Sequence, residues 1–124
     1  MRTLYLLTVL LLLAVISKAQ LKNTKWQGKM NVPDLTPVVL VFKGDSVNMI
    51  IVDSGVVGET MTYSLKDSTI TLAKTSGNSP CDVGDVFKVK YLIKDNKLFV
   101  SNLSDACDAR AQSWTNEPFF LVKQ

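Results

Sequence analysis

An alternation of period two, returning along most of the chain, restricts this sequence more than any other feature. In Thr60-Met61-Thr62-Tyr63-Ser64-Leu65 the apolar side chains Met61, Tyr63 and Leu65 share one face, with small hydroxyls on the other. In Phe87-Lys88-Val89-Lys90-Tyr91, lysines occupy the second face. Successive strand residues point to opposite sides, so the pattern is that of half-buried strands, and no amphipathic helix of useful length competes with it. Eight strands are expected: Lys25 to Asn31, Pro37 to Lys43, Ser46 to Val52, Glu59 to Leu65, Thr69 to Lys74, Asp85 to Ile93, Lys97 to Asn102 and Phe119 to Lys123. The connections "KGDS", "KDS" and "KDN" have the chemistry of tight turns, so neighbours in sequence should pair antiparallel. Longer connections fall at 53–58 and 75–84, and a short helix is expected near 105–113, with Asp105 as its N-terminal cap.

Short antiparallel strands with one apolar face remove their exposed edges most completely by closing on themselves. The fold expected is therefore all-β: a single up-and-down antiparallel β-barrel of about eight strands, with a two-sheet sandwich as its rival. The alternation turns Trp26, Met49, Ile51, Met61, Tyr63, Leu65, Ile70, Leu72, Phe87, Val89, Tyr91, Leu98 and Val100 inward. These side chains either fill the barrel or line a cavity, and the sequence leaves both open. "TPVVLVF" at 36–42 and "MIIV" at 49–52 are apolar on both faces, which predicts cover on the outer side, by the segment around 104–114 or by the N-terminal segment. The alternative there is an exposed interaction surface.

Arg2, the apolar run from Leu4 to Ile16 and then Ser17-Lys18-Ala19 have the form of a secretory signal, cut between Ala19 and Gln20. The run of 13 residues is shorter than the roughly 20 needed for a membrane-spanning helix. Residues 1–19 are thus expected to be a signal peptide and 20–124 one barrel domain, exported to the periplasm or beyond and without a transmembrane segment after cleavage. Beyond residue 19 the chain has twelve basic and eleven acidic residues, a net charge of +1, which gives no basic field for nucleic acid.

Cys81 and Cys107 are the only cysteines, and in an exported chain a disulfide is the first reading. They lie just before and just after the two strands flanking "KDN", at the open end of that hairpin, so a bond between them would staple it. The run "SPCDVGD", then "KVKYLIKDNKLFVSNLSDACDAR", then Trp114, resembles small secreted bacterial proteins of lipocalin-like type. That resemblance implies a calycin-like barrel and no settled activity. It departs from the better known lipocalin signature, Gly-x-Trp on the first strand, because this chain has Trp26-Gln27-Gly28. The physical idea behind the signature still assigns Arg110 a place: a late arginine stacks on the first-strand tryptophan, which plugs one barrel end. A local rival pairs its planar fork with Asp105, Asp108 or Glu117, and a third reading makes it a ligand anchor.

The chain has no histidine, no Gly-x-Gly-x-x-Gly and no phosphate loop, and almost all its acidic residues sit in expected turns or strand ends, where solvated caps are ordinary. No catalytic residue, metal site or cofactor is expected. The expected function is non-enzymatic binding of a small hydrophobic ligand in the barrel, with Trp26, Met61, Tyr63, Phe87, Tyr91 and Arg110 as candidate contacts. The alternative is an interaction or structural protein with a filled barrel and a partner-binding outer surface.

Overall fold

A computed structural model describes residues 21–123, and the expected signal peptide at 1–19 lies outside the described residues. The elements in chain order are β1 (Lys25–Asn31), β2 (Leu35–Phe42), β3 (Ser46–Ile51), β4 (Val57–Lys66), β5 (Thr69–Ser76), β6 (Val86–Lys94), β7 (Lys97–Ser104), α1 (Asp108–Ala111) and β8 (Phe119–Leu121). Every strand pairs antiparallel with its neighbours in sequence, and β8 closes the sheet onto β1 through Trp26 opposite Leu121. The result is the eight-stranded up-and-down barrel, not the sandwich, closed near one end through the three-residue β8.

Several strands are longer than the alternation indicates. Leu35 and Thr36 join β2, and Pro37 does not interrupt it, because its carbonyl still accepts from the Val52 N–H at 3.1 Å. Val57 and Gly58 join β4, where register shifts at Met49/Ile50 and Thr60/Met61 disturb the alternation that sequence reading relies on. The last strand ends at Leu121, before Lys123. The helix is shorter than expected, and its N-terminal cap position is Cys107, whose side chain makes no capping bond. Asp105 instead accepts from the Cys107 N–H at 2.9 Å, one step outside the helix.

The up-and-down order places the turns at 43–45, 67–68 and 95–96 at one end of the barrel, here called the base. Asp95 and Asn96 adopt φ of 54° and 59°, the left-handed pair that a two-residue hairpin turn requires. The base is solid. Trp26, Leu21, Leu98 and Phe119 are buried there, and the Trp26 Nε1–H donates to Thr24 Oγ1 at 2.8 Å. Gly28 follows Trp26 on the inward face, where a Cβ would lie 2.5 Å from Phe119 Cδ1, so a glycine lets the Phe119 ring close the barrel.

The connections 32–34, 52–56, 77–85 and 105–118 leave the opposite end, the mouth. Of the inward residues expected, Trp26, Met49, Met61, Ile70, Leu72, Phe87, Val89, Leu98 and Val100 are buried, and Ile51, Tyr63, Leu65 and Tyr91 pack half-buried against them. The expected outer cover over 36–42 and 49–52 is not formed by the segment around 104–114. Its helix sits at the mouth, where Arg110 reaches Glu59, and of the outward residues Val39, Val41 and Ile50 are half-buried and Val52 stays exposed.

Candidate functional site

The barrel is hollow above its base. A cavity of about 730 Å³ extends from Phe42, Val47, Ile70 and Val89 in the interior to Pro33, Val56, Ser79 and Gln112 at the mouth. Its wall is made of inward strand residues, Met49, Met61, Leu72, Phe87 and Val100 among them, and alternation along seven strands, β1 to β7, puts them there. Trp26, Leu98 and Phe119 do not line it, so the plug and the cavity are separate layers of one interior.

One buried polar cluster interrupts this apolar wall, and it is built around Arg110, only 6% exposed. Its Nε and Nη2 donate to the two oxygens of Asp105 at 2.6 and 2.9 Å, and Nη1 donates to Glu59 Oε1 at 2.5 Å. The guanidinium carbon lies 3.7 Å from the centre of the Phe87 ring, so one face stacks while the edge pairs. Burial pulls the Arg110 pKa down, but the hydrogen bonds and charges of Asp105 and Glu59 outweigh it and raise the value above the ordinary one. The cation is therefore permanent, and its fork is engaged on both sides.

Lys74 is the second buried cation. Its Nζ donates to the carbonyls of Ser79 at 3.0 Å and Cys81 at 2.7 Å, which holds the 77–85 connection over the barrel end. The disulfide joins Cys81 of that connection to Cys107, with the Cα atoms 5.6 Å apart, and so fixes the segment that carries Asp105 and Arg110. Ser113 continues the clasp: its carbonyl accepts from the Asn31 N–H at 2.8 Å, and its hydroxyl donates to the Arg110 carbonyl at 2.6 Å.

Of the six candidate contacts, Met61, Phe87 and Arg110 line the cavity together. Trp26 does not, because it belongs to the plug at the base. Tyr63 and Tyr91 are also outside the lining. Tyr63 packs edge-on against Phe42 at 5.2 Å and donates its hydroxyl to the Lys43 carbonyl at 2.7 Å, near the base turn. The expected stacking of Arg110 on Trp26 is corrected to Phe87, since Trp26 and Arg110 sit at opposite ends of the barrel. Of its three expected carboxylates Asp105 pairs with it and Asp108 and Glu117 do not, and Glu59 adds a further oxygen.

No family model, curated protein or solved structure matches the chain. What the site can do therefore rests on its own groups. Sequence reading takes Glu59 for a solvated strand-end carboxylate and misses Lys74, yet both are 4% exposed and each continues an inward alternation: Glu59 is two before Met61, and Lys74 is two after Leu72. It also missed Trp114 as cavity wall. The Nε1–H of Trp114 and the hydroxyl of Ser79 are buried with no hydrogen-bond partner among the described residues, and both residues line the cavity.

The mouth also has a charge of its own. Its connections carry Asp34, Asp53, Asp82, Asp85, Asp105 and Asp108, and Arg110 is the one basic residue among them. At the base, Lys22, Lys25, Lys43, Lys66, Lys94 and Lys97 surround Asp45, Asp67 and Asp95. Beyond residue 19, where the net charge is only +1, the chain thus presents an acidic opening and a basic floor.

Proposed function

We propose that the protein is an exported, non-enzymatic binding protein of lipocalin-like type that holds a small apolar molecule inside the barrel. The observation that carries this reading is the apolar cavity of about 730 Å³, open at the mouth and sealed at the base. Ligand sites typically enclose about 300–1,000 Å³, so the space suits one molecule of lipid or drug size. The signal-like N-terminus and the Cys81–Cys107 bond support export, since that bond persists on the oxidising side of a membrane.

Native mass spectrometry of the purified protein, with a panel of aliphatic and aromatic ligands, tests the reading. Retained or added mass at one-to-one stoichiometry is expected. Trp114 borders the cavity and Trp26 does not, so ligand should change the fluorescence of the wild type and leave that of Trp114→Phe nearly unchanged. A protein that takes up no member of the panel would refute the proposal. The partner-binding alternative keeps one specific support: Leu92 and Phe99, paired across β6 and β7, are exposed on the outer wall. Self-association that Leu92→Lys abolishes would favour it.

A further inference from the structure

We infer that the occupant of the cavity is an uncharged apolar molecule bearing a hydrogen-bond acceptor, such as a ketone or ester oxygen, and not a fatty-acid-like anion. This rests on the binding reading above and goes further, to the chemistry of the ligand. Three observations carry it. The first is that Arg110, the one cation in the cavity wall, is already neutralised: Asp105 takes its Nε and Nη2, Glu59 takes Nη1, and Phe87 covers a face. A ligand carboxylate would have to displace one of two buried carboxylates from a guanidinium, and the displaced group would then be buried without a partner.

The second observation is the buried charge balance. Arg110 and Lys74 are matched by Glu59 and Asp105, whose side chains are 5% and 0% exposed, so no net positive charge awaits an anion. Nor would an anion be helped by leaving its head group at the opening, where, beyond the buried Asp105–Arg110 pair, the connections carry Asp34, Asp53, Asp82, Asp85, Asp108 and Glu117 and no basic residue. The third is the unmet donor. Trp114 Nε1–H can only donate, and it is buried beside the cavity with no acceptor among the described residues, as is the Ser79 hydroxyl. Both atoms are closed to a water-sized probe in this structure, so an oxygen acceptor on an otherwise apolar ligand satisfies such a donor once the Trp114 ring turns toward it, without bringing a charge.

The test is calorimetric titration of the wild type with four ligands of one chain length: a methyl ketone, the carboxylate, the trimethylammonium salt and the plain hydrocarbon. The ketone is expected to bind at least about 10-fold tighter than the carboxylate, a modest allowance for burying an unpaired charge. Trp114→Phe removes the donor together with part of the aromatic wall, so it should weaken the ketone by about 3- to 10-fold more than it weakens the hydrocarbon. Ser79→Ala repeats the comparison at the second group. Carboxylate binding as tight as ketone binding overturns the inference and leaves the binding reading standing. So does a trimethylammonium salt that binds tightest, which would make the acidic rim the head-group site, or a hydrocarbon that matches the ketone. If none of the four binds, the binding reading itself fails, and the inference with it.

Discussion

At the scale of the residue, Arg110 shows what a lysine could not do in its place. One guanidinium reaches both oxygens of Asp105, a third oxygen on Glu59 and the Phe87 face, four contacts that need a planar fork. Arg110→Lys keeps the charge and loses the fork, leaving a buried carboxylate underpaired. We expect a loss of up to about 3–5 kcal/mol, the range for breaking a buried pair. For a domain of this size that lowers Tm by roughly 10 °C or more, readable by calorimetry; an unchanged Tm would mean the cluster does not hold the mouth. The tyrosines give a second residue-level expectation. Burial, and for Tyr63 also the charge of Asp45, raise both phenols above their ordinary 10.0, and beyond Tyr5 these are the only tyrosines. A folded pKa above the unfolded one stabilises the protein fully below the unfolded value and is lost as pH rises through the folded value. Phenolate absorbance should therefore appear later in the native protein than in denaturant, with stability falling only at strongly alkaline pH. Coincident titration curves would contradict this.

At the scale of the element, the strands and their order were legible because alternation and turn chemistry act locally. Asp95-Asn96 needs no partner to specify a tight turn, and Met61-Thr62-Tyr63 needs none to specify a face. What escaped the sequence was decided between elements. Glu59 lies on the inward face of β4, but its burial makes sense only because α1 brings an arginine 51 positions away to meet it. Lys74 likewise depends on two carbonyls of a connection whose path is not local. The stacking idea found the right arginine and the wrong ring, since sequence does not say that the plug and the clasp close opposite ends. The disulfide was legible as a hairpin staple, and its place adds a consequence: it ties the 77–85 connection to the segment bearing the clasp. Cys81→Ser with Cys107→Ser should cost about 3 kcal/mol in the chain-entropy account. Amide exchange should accelerate chiefly in 77–85 and 105–115, with the base around Trp26 still protected. Uniform acceleration would mean that the bond supports the whole barrel and not its mouth.

At the scale of the whole molecule, one feature works against stability. The same alternation that closes the barrel puts large residues at the base, where Trp26, Phe119 and Leu98 meet, and shorter ones such as Val89 and Val100 higher up, where they leave a void. Atoms lining an empty space lack partners and forgo dispersion contacts that a filled core would have. If the void is kept for a ligand, filling it should strengthen the fold and impair binding, as trade-offs between stability and function generally do. Val47 is 1% exposed and borders the cavity, so Val47→Phe adds a ring into open space. We expect the apo protein to gain about 1 kcal/mol, within the range of cavity-filling changes. Ligand stabilises the wild type through mass action, by about 2.7 kcal/mol at one hundred times Kd, and that increment should shrink or vanish in the variant. The two melting temperatures, with and without ligand, separate the possibilities. A variant that melts lower than wild type would show that there is no room beside Val47, and one that keeps the full ligand increment would place the ligand elsewhere in the barrel.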